Sequence, residues 1–113
     1  MLGRESRLSD PLDFKRVQES GKVFQFSNFG IATFERGDDK PSRFGFVISV
    51  KVAKRAVDRN NVKRILSEAV RYLLVETKKG KDVVFLAKPT IVRESTSNLS
   101  KEVRAAMKAI ELI

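Results

Sequence analysis

The chain is organised around residues 51–71, KVAKRAVDRNNVKRILSEAVR. This stretch holds seven of the 23 Lys and Arg residues and only two acids, so it carries a charge of +5 out of a total of +9. It also begins an amphipathic helix. Cations at the start of a helix oppose its dipole, which favours cations near the C-terminus. Because this placement of charge does not stabilise the helix, it indicates a functional role, and a polyanion is the natural partner for the charge.

The predicted helix has an apolar side and a polar side. Asp58 is the expected N-cap, and the helix is expected to run to about Lys78 and to be closed by Gly80. At about 100° per residue, the apolar side consists of Val62, Ile65, Leu66, Ala69 and Leu73. The opposite side consists of Asn60, Arg64, Ser67 and Arg71, with Lys63 at its edge.

The polar side has the residue types that bind phosphate. Arg offers a planar fork of donors, Lys a point charge, and Asn can bond to sugar or base edges. Lys54 and Arg55 lead into this cluster, and Arg59 repels Lys63 in such a helix because they are four residues apart. An ordinary solvated helix face is the alternative, but cations gathered against the dipole favour a phosphate-binding helix.

The N-terminal region combines a polar stretch with a short helix. Residues 1–8 are polar and basic, so we expect a flexible arm. Asp10 suits the N-cap of a helix over residues 10–20, and Gly21 suits its end. Phe14 is the one large aromatic on the apolar side of this helix.

Alternating and continuous apolar runs predict strands over residues 22–27, 29–36, 43–50 and 82–87. Short loops between the first three favour an antiparallel meander, whereas the fourth is typical of a strand buried on both faces. A last helix over about residues 99–112 is predicted to bury Leu99, Val103, Met107 and Ile110. The whole order predicts a single α+β domain over residues 1–113, with a mainly antiparallel sheet packed by helices.

Composition excludes several kinds of site. The chain has no Cys and no His, which excludes thiol nucleophiles, Ser-His triads and zinc sites built on these residues. Asp38 and Asp39 are the only adjacent acids, and they lie in a predicted turn. No apolar run reaches the roughly 18 residues that span a bilayer, so we expect no membrane and a cytoplasmic location. The pI of about 10.2 indicates nucleic acid or an anionic membrane surface as partner, and we expect no small-molecule substrate.

Three segments resemble one protein family. Residues 43–71, RFGFVISVKVAKRAVDRNNVKRILSEAVR, resemble the protein subunit of bacterial ribonuclease P. The basic helix matches the family motif through Arg59, Asn60, Lys63, Arg64 and Glu68. Residues 7–22, RLSDPLDFKRVQESGK, resemble the first helix of that family, and residues 80–89, GKDVVFLAKP, its fourth strand. The resemblance covers nearly the whole chain in order.

Four positions depart from the family pattern. Asn61 and Ser67 stand where the family usually has Arg, Val50 replaces the first of two paired lysines, and Gln18 replaces a second aromatic. The loss of two cations on the helix would either lower the affinity for RNA or put greater weight on Lys54, Arg55 and Arg71 as RNA contacts.

The resemblance implies a fold shared with the second domain of ribosomal protein S5, with a left-handed crossover around the basic helix. It implies a protein cofactor of a ribonucleoprotein that removes the 5′ leader of precursor tRNA. The RNA subunit would perform the reaction with Mg²⁺ that it holds itself, so the protein has no catalytic residue and is inactive alone. On the protein, the catalytic RNA would contact Arg59, Asn60, Lys63 and Arg64, to which the charge pattern adds Lys54, Arg55 and Arg71.

A second surface, between the first helix and the sheet, would hold the single-stranded leader. The resemblance assigns this role to Phe14, Ser49 and Lys51, and Lys88 could contact phosphate. An ordinary core position is the alternative for Phe14, and a solvated strand end is the alternative for Lys88. For the whole chain, the main alternative is a structural RNA-binding protein, such as a ribosomal protein or assembly factor. A stand-alone nuclease is disfavoured because the chain has no His and no cluster of acids.

Overall fold

The computed structural model describes residues 2–113. Within them, three α-helices and four strands are joined by loops and short 3₁₀ turns. The helices are α1 (Pro11–Ser20), α2 (Ala56–Arg71) and α3 (Thr96–Ala109). The strands are β1 (Lys22–Gln25), β2 (Phe29–Glu35), β3 (Arg43–Val47) and β4 (Lys81–Ala87). The α+β class and the order of the elements are as predicted.

Helix α1 begins and ends where the sequence predicts. The Asp10 side chain accepts a hydrogen bond of 2.9 Å from a backbone amide of the first turn. At the other end, a Cβ on Gly21 would lie 2.4 Å from the carbonyl oxygen of Val17 and 2.5 Å from that of Thr33. Glycine is therefore required by the close approach of the helix end to β2, and not by a left-handed backbone.

The order of the strands differs from the predicted meander. They lie as β1-β2-β4-β3, so β4 and not β3 is the second neighbour of β2. β2 and β4 run antiparallel, with Ala32 opposite Val84, whereas β3 and β4 run parallel, with Phe44 opposite Val83. The meander prediction is wrong because the apolar β4 takes a central place, where both its edges and both its faces are covered. β3 is left at the edge.

Helix α2 connects β3 to its parallel neighbour β4. A parallel pair needs such a crossover, since the chain must return to the same end of the sheet. The left-handed sense implied by the family resemblance stays a prediction.

The helices cover both faces of the sheet. α2 and α3 pack on one face over the larger core, in which the rings of Phe29 and Phe85 lie 5.2 Å apart. α1 packs on the other face over Ala32 and Val84. The basic helix and the predicted leader helix are thus held on opposite faces.

Helix α2 begins earlier and ends earlier than predicted. Arg55 takes the N-cap position without a side-chain cap, and Asp58 lies in the first turn, where its carboxylate accepts a 2.8 Å hydrogen bond from the Arg55 guanidinium. The N-cap prediction for Asp58 is therefore wrong: this acid faces the positive end of the helix dipole from inside the helix. The helix ends at Arg71, and not near Lys78, because the chain turns into the 3₁₀ segment Leu74–Glu76.

Helix α3 begins at Thr96 because the Ser95 side chain caps it, accepting a 3.1 Å hydrogen bond from the Asn98 amide. The sequence predicts the start at about residue 99. The predicted core residues Leu99, Val103 and Met107 are buried, while Ile110 is half-buried at the C-terminal end of the helix.

Residues 2–8 pack against the domain and do not form the flexible arm predicted for residues 1–8; Met1 lies outside the described residues. Both leucines of the segment are buried. The Leu8 amide donates a 2.9 Å hydrogen bond to the Phe44 carbonyl, and Arg7 forms a parallel bridge with Phe44. The flexible-arm prediction is wrong because two apolar anchors within a polar segment are enough to cover the free edge of β3.

Candidate nucleic-acid interface

Helix α2 divides into a buried side and an outer side, much as predicted. Of the predicted apolar residues, Val62, Leu66, Ala69 and Leu73 are buried and Ile65 is half-buried. Val70 is also fully buried, and so is nearly all of Ser67, which the periodicity assigned to the outer side. Ser67 lines the same cavity as Leu2 of the N-terminal segment. Helix periodicity does not take that segment into account.

The predicted RNA contacts on α2 mostly lie at its surface. Asn60, Lys63, Arg64 and Arg71 are exposed on the helix, and Lys54 and Arg55 are exposed in the basic loop before it. Arg59 is half-buried, and its guanidinium donates to the carbonyls of Ala53 (2.9 Å) and Lys54 (2.7 Å). Arg59 therefore holds the basic loop in place against the first turn of α2.

Three of these arginines have neighbouring acceptors on the same helix. Arg55 binds Asp58, Arg71 binds Glu68 at 2.9 Å, and Arg64 donates a 2.6 Å hydrogen bond to Asn61. The hydrogen bond that Arg55 donates to Asp58 raises the pKa of the Arg55 guanidinium, which stays charged. Because these pairs are largely exposed, they are weak, and a phosphate group can replace the acceptor. Asn61, where the family usually has a cation, here orients Arg64.

Phe14 lies where α1 meets β3. Its ring rests on Gly45, so closely that a Cβ on Gly45 would lie 2.3 Å from the ring. The ring is half-buried, and it lines a cavity of about 270 Å³ together with Phe46, Arg7 and Lys63. Phe14 is therefore partly packed in the core and partly open to the cavity, and its leader-binding role stays a prediction.

The other predicted leader contacts gather at one end of the sheet. β3 and β4 are parallel, so Ser49, Lys51 and Lys88 all follow the carboxyl ends of adjacent strands. Ser49 and Lys51 are exposed. The Ser49 carbonyl accepts hydrogen bonds from the backbone amides of Val52 and Ala53 in the basic loop. Lys88 differs, because its ammonium donates a 2.5 Å hydrogen bond to the Phe26 carbonyl. Lys88 thus ties β4 to the turn between β1 and β2.

Sequence reasoning missed Arg7. This exposed residue lines the same cavity as Phe14 and Lys63. The sequence offers a signal for its position, because the apolar residue Leu8 follows Arg7 directly and can anchor this segment against the domain.

A second charged cluster lies at the other end of β4. The Asp82 carboxylate is fully buried and binds Arg36 at 2.6 Å and Arg43 at 2.7 Å. Arg43 also binds Asp13 of α1 at 3.2 Å. Hydrogen bonding to Asp38 above all raises the pKa of Arg36, and bonding to Asp82 raises that of Arg43. An acid at the start of an apolar strand was the available sequence signal for this cluster.

Two further features concern metals and membranes. Across residues 2–113, no group of three or more acidic side chains is placed so that it could hold a metal ion. No helix in this part of the chain is long and apolar enough to cross a membrane.

Comparisons with known proteins agree with the sequence resemblance. The family model for ribonuclease P matches residues 2–111. The chain is 30% identical, over its full length, to the ribonuclease P protein component of Cyanothece sp., of which it covers 98%. The RNase P protein from Thermotoga maritima has a similar structure, with a TM-score of 0.82 and 26% identity over 91% of this chain and 96% of that one.

The RNase P protein of Staphylococcus aureus shares the fold at a TM-score of 0.87 and 21% identity, over 95% of this chain and 96% of that one. The family match and the full-length relative extend beyond fold, because the matched residues include both the first helix and the basic helix. The chain belongs to the ribonuclease P protein family.

Proposed function

We propose that this chain is the protein cofactor of the ribonuclease P ribonucleoprotein and binds its catalytic RNA and the 5′ leader of precursor tRNA. Membership of the family carries a role in ribonuclease P, and hence in tRNA 5′ processing. The main support for RNA binding is the division of helix α2, whose apolar side is buried while its cations remain at the surface. The whole chain would act as one RNA-binding domain, in the cytoplasm with precursor tRNA.

The outer side of α2 is the proposed contact for the catalytic RNA. Lys63, Arg64 and Arg71 would bind phosphates, with Asn60 beside them for sugar or base edges. Lys54 and Arg55 extend this surface into the basic loop. Arg59 would contribute partly by holding that loop, because its guanidinium is already bonded to two loop carbonyls. The exposed acceptors Asp58 and Asn61 keep the cations oriented until RNA replaces them.

The leader would lie between α1 and the end of the sheet. Phe14 offers a ring for stacking on an unpaired base, a contact that tolerates any sequence. Ser49 and Lys51, at the carboxyl end of β3, would contact the sugar-phosphate chain. Lys88 is the weakest member of this set, since its ammonium must leave the Phe26 carbonyl before it can reach a phosphate.

The reaction itself is assigned to the RNA subunit and to Mg²⁺ that the RNA holds. Bound Mg²⁺ can activate water and stabilise the leaving oxygen of a phosphodiester. The protein offers a poor site for this ion, because its two most buried carboxylates, Asp13 and Asp82, are each already paired with arginine. The protein would contribute binding energy, through cations that screen the repulsion between the two RNAs and through contacts to the leader.

Reconstitution tests this proposal. A bacterial ribonuclease P RNA is assayed on precursor tRNA at low Mg²⁺, alone and with the protein, next to the protein without RNA. We expect the RNA alone to be slow, the mixture to remove the leader, and the protein alone to cleave nothing. Specific 5′ cleavage by the protein alone would refute the cofactor role. Tight RNA binding without restored leader removal would favour a structural RNA-binding protein instead.

A further inference from the structure

Tyr72 is an exposed aromatic side chain at the C-terminal end of α2. It occupies the C-cap position directly after Arg71, and 74% of its surface is exposed. Aromatic side chains normally bury most of their area, so an exposed tyrosine at the end of the basic helix indicates a binding site. It is also the only tyrosine in a chain that has no tryptophan.

The surroundings of Tyr72 are polar and positively charged. The Arg71 guanidinium lies over the ring, 5.0 Å from its centre, and is held there by Glu68. Beside the ring, a groove of about 220 Å³ separates α2 from the first turns of α3 and reaches Arg64. Thr96 and Ser100 of α3 line its far side, and neither hydroxyl makes a hydrogen bond within residues 2–113.

We propose that Tyr72 and this groove bind one unpaired nucleotide of the RNA that α2 docks on. The base stacks on the ring, the free hydroxyls of Thr96 and Ser100 contact base or sugar, and Arg64 and Arg71 flank the adjoining phosphates. This inference rests on the proposed function and extends it beyond the family motif, to the end of α2 and the start of α3.

Charge favours RNA over a protein as the occupant. The groove continues the outer side of α2: Arg64 lines it, Arg71 lies over the Tyr72 ring, and the acid in its lining, Glu68, is paired with Arg71. A guanidinium over an aromatic ring also fits a nucleotide, since the ring takes the base and the cation takes the phosphate. Val75, which is 97% exposed, lies outside the lining of the groove and serves as a control.

Tyrosine emission reports on this site directly, because all of it comes from Tyr72. The protein is titrated with a bacterial ribonuclease P RNA, and free N-acetyltyrosinamide in the same RNA corrects for absorbed light. We expect quenching that saturates with binding. The Tyr72→Phe variant, which keeps the ring, should bind as well as the unmodified protein.

Variants separate stacking from charge. Tyr72→Ala should bind about tenfold more weakly with an unchanged salt dependence, as expected for the loss of one stacked base. Arg71→Ala should lower the slope of log K against log salt by about one. Val75→Ala should match the unmodified protein. Unquenched emission together with full affinity of Tyr72→Ala would overturn the inference while leaving the proposed function intact.

Two other results have separate meanings. If Tyr72→Ala alters self-association in sedimentation but not RNA affinity, the groove is a protein-docking site and the inference is wrong. If the unmodified protein does not bind the RNA at all, the proposed function fails, and the inference fails with it.

Discussion

Two groups of arginines, one around the start of β4 and one along α2 and the loop before it, are held in different ways. Arg36 and Arg43 converge on Asp82, which is 0% exposed, and the side chain of Arg36 is itself only 10% exposed. Arg55, Arg64 and Arg71 pair instead with partners at the surface; the Arg55 side chain, for example, is 75% exposed. The same residue type thus serves the fold in one place and remains available to a ligand in the other.

Burial explains this difference. A buried carboxylate without a cation is costly, so Asp82 and its two arginines depend on one another. Exposed pairs contribute little, because water and salt compete with each partner. We therefore regard the Asp82 cluster as part of the core, in spite of its charge, and the α2 surface as the part of the molecule that can change partners. Variants at Asp82, at Arg59 with Arg64, and at Asp58 test this distinction, and a variant at Phe14 tests the leader surface.

The largest effect is expected at Asp82. Asp82→Ala removes the carboxylate between Arg36 and Arg43 and should lower the free energy of unfolding by about 3–5 kcal/mol, the range for breaking a buried ion pair. Urea unfolding followed by circular dichroism measures this change. Under conditions where the variant is folded, its RNA affinity should equal that of the unmodified protein. A loss below about 1 kcal/mol would show that the cluster is not structural.

The second effect concerns RNA binding. Arg59→Ala combined with Arg64→Ala should weaken binding to the catalytic RNA by about 2 kcal/mol, because hydrogen bonds from charged groups are lost. The slope of log K against log salt should fall by about one for each phosphate contact removed. Arg104→Ala combined with Lys108→Ala is the matched control, since it removes the same charge from the exposed side of α3. Equal losses in both double variants would mean that only net charge matters.

The third effect concerns the leader. Phe14→Leu keeps an apolar side chain over Gly45 but removes the ring, so it should weaken binding of leader-bearing precursor by about 1 kcal/mol and leave mature tRNA unaffected. Gly45→Ala should act in the same direction, since its Cβ would occupy the place of the ring. Affinity for the two RNAs is compared on the assembled ribonucleoprotein. Equal losses for both RNAs would assign Phe14 to the core alone.

The sequence predicts this distinction only in part. Periodicity places Val62 and Leu66 against the sheet, and Asp10 acts as the predicted capping residue because its signal is local. Strand order cannot be predicted in this way, because the pairing of β3 with β4 depends on which strand is most deeply buried. The position of residues 2–8 is also hard to predict, because two buried leucines fix a segment that is otherwise polar. On the interface, exposure was predictable, but the roles of Arg59 and Lys88 depend on carbonyls that tertiary structure brings near.

The smallest effect is expected at Asp58, which is the exposed counterpart of Asp82. The hydrogen bond from Arg55 lowers the pKa of the Asp58 carboxyl, so any stability from this pair is present at neutral pH and is lost only as the pH falls below about 4, through that lowered pKa. Asp58→Asn keeps the shape, removes the charge and releases Arg55. At pH 7 we expect no measurable change in the free energy of unfolding, and an RNA affinity that is unchanged or slightly raised, with a steeper salt dependence because Arg55 is freed. If instead Asp58→Asn destabilises the fold as much as Asp82→Ala does, burial is not what separates the two groups of arginines, and the α2 pairs would have to be counted as part of the fold.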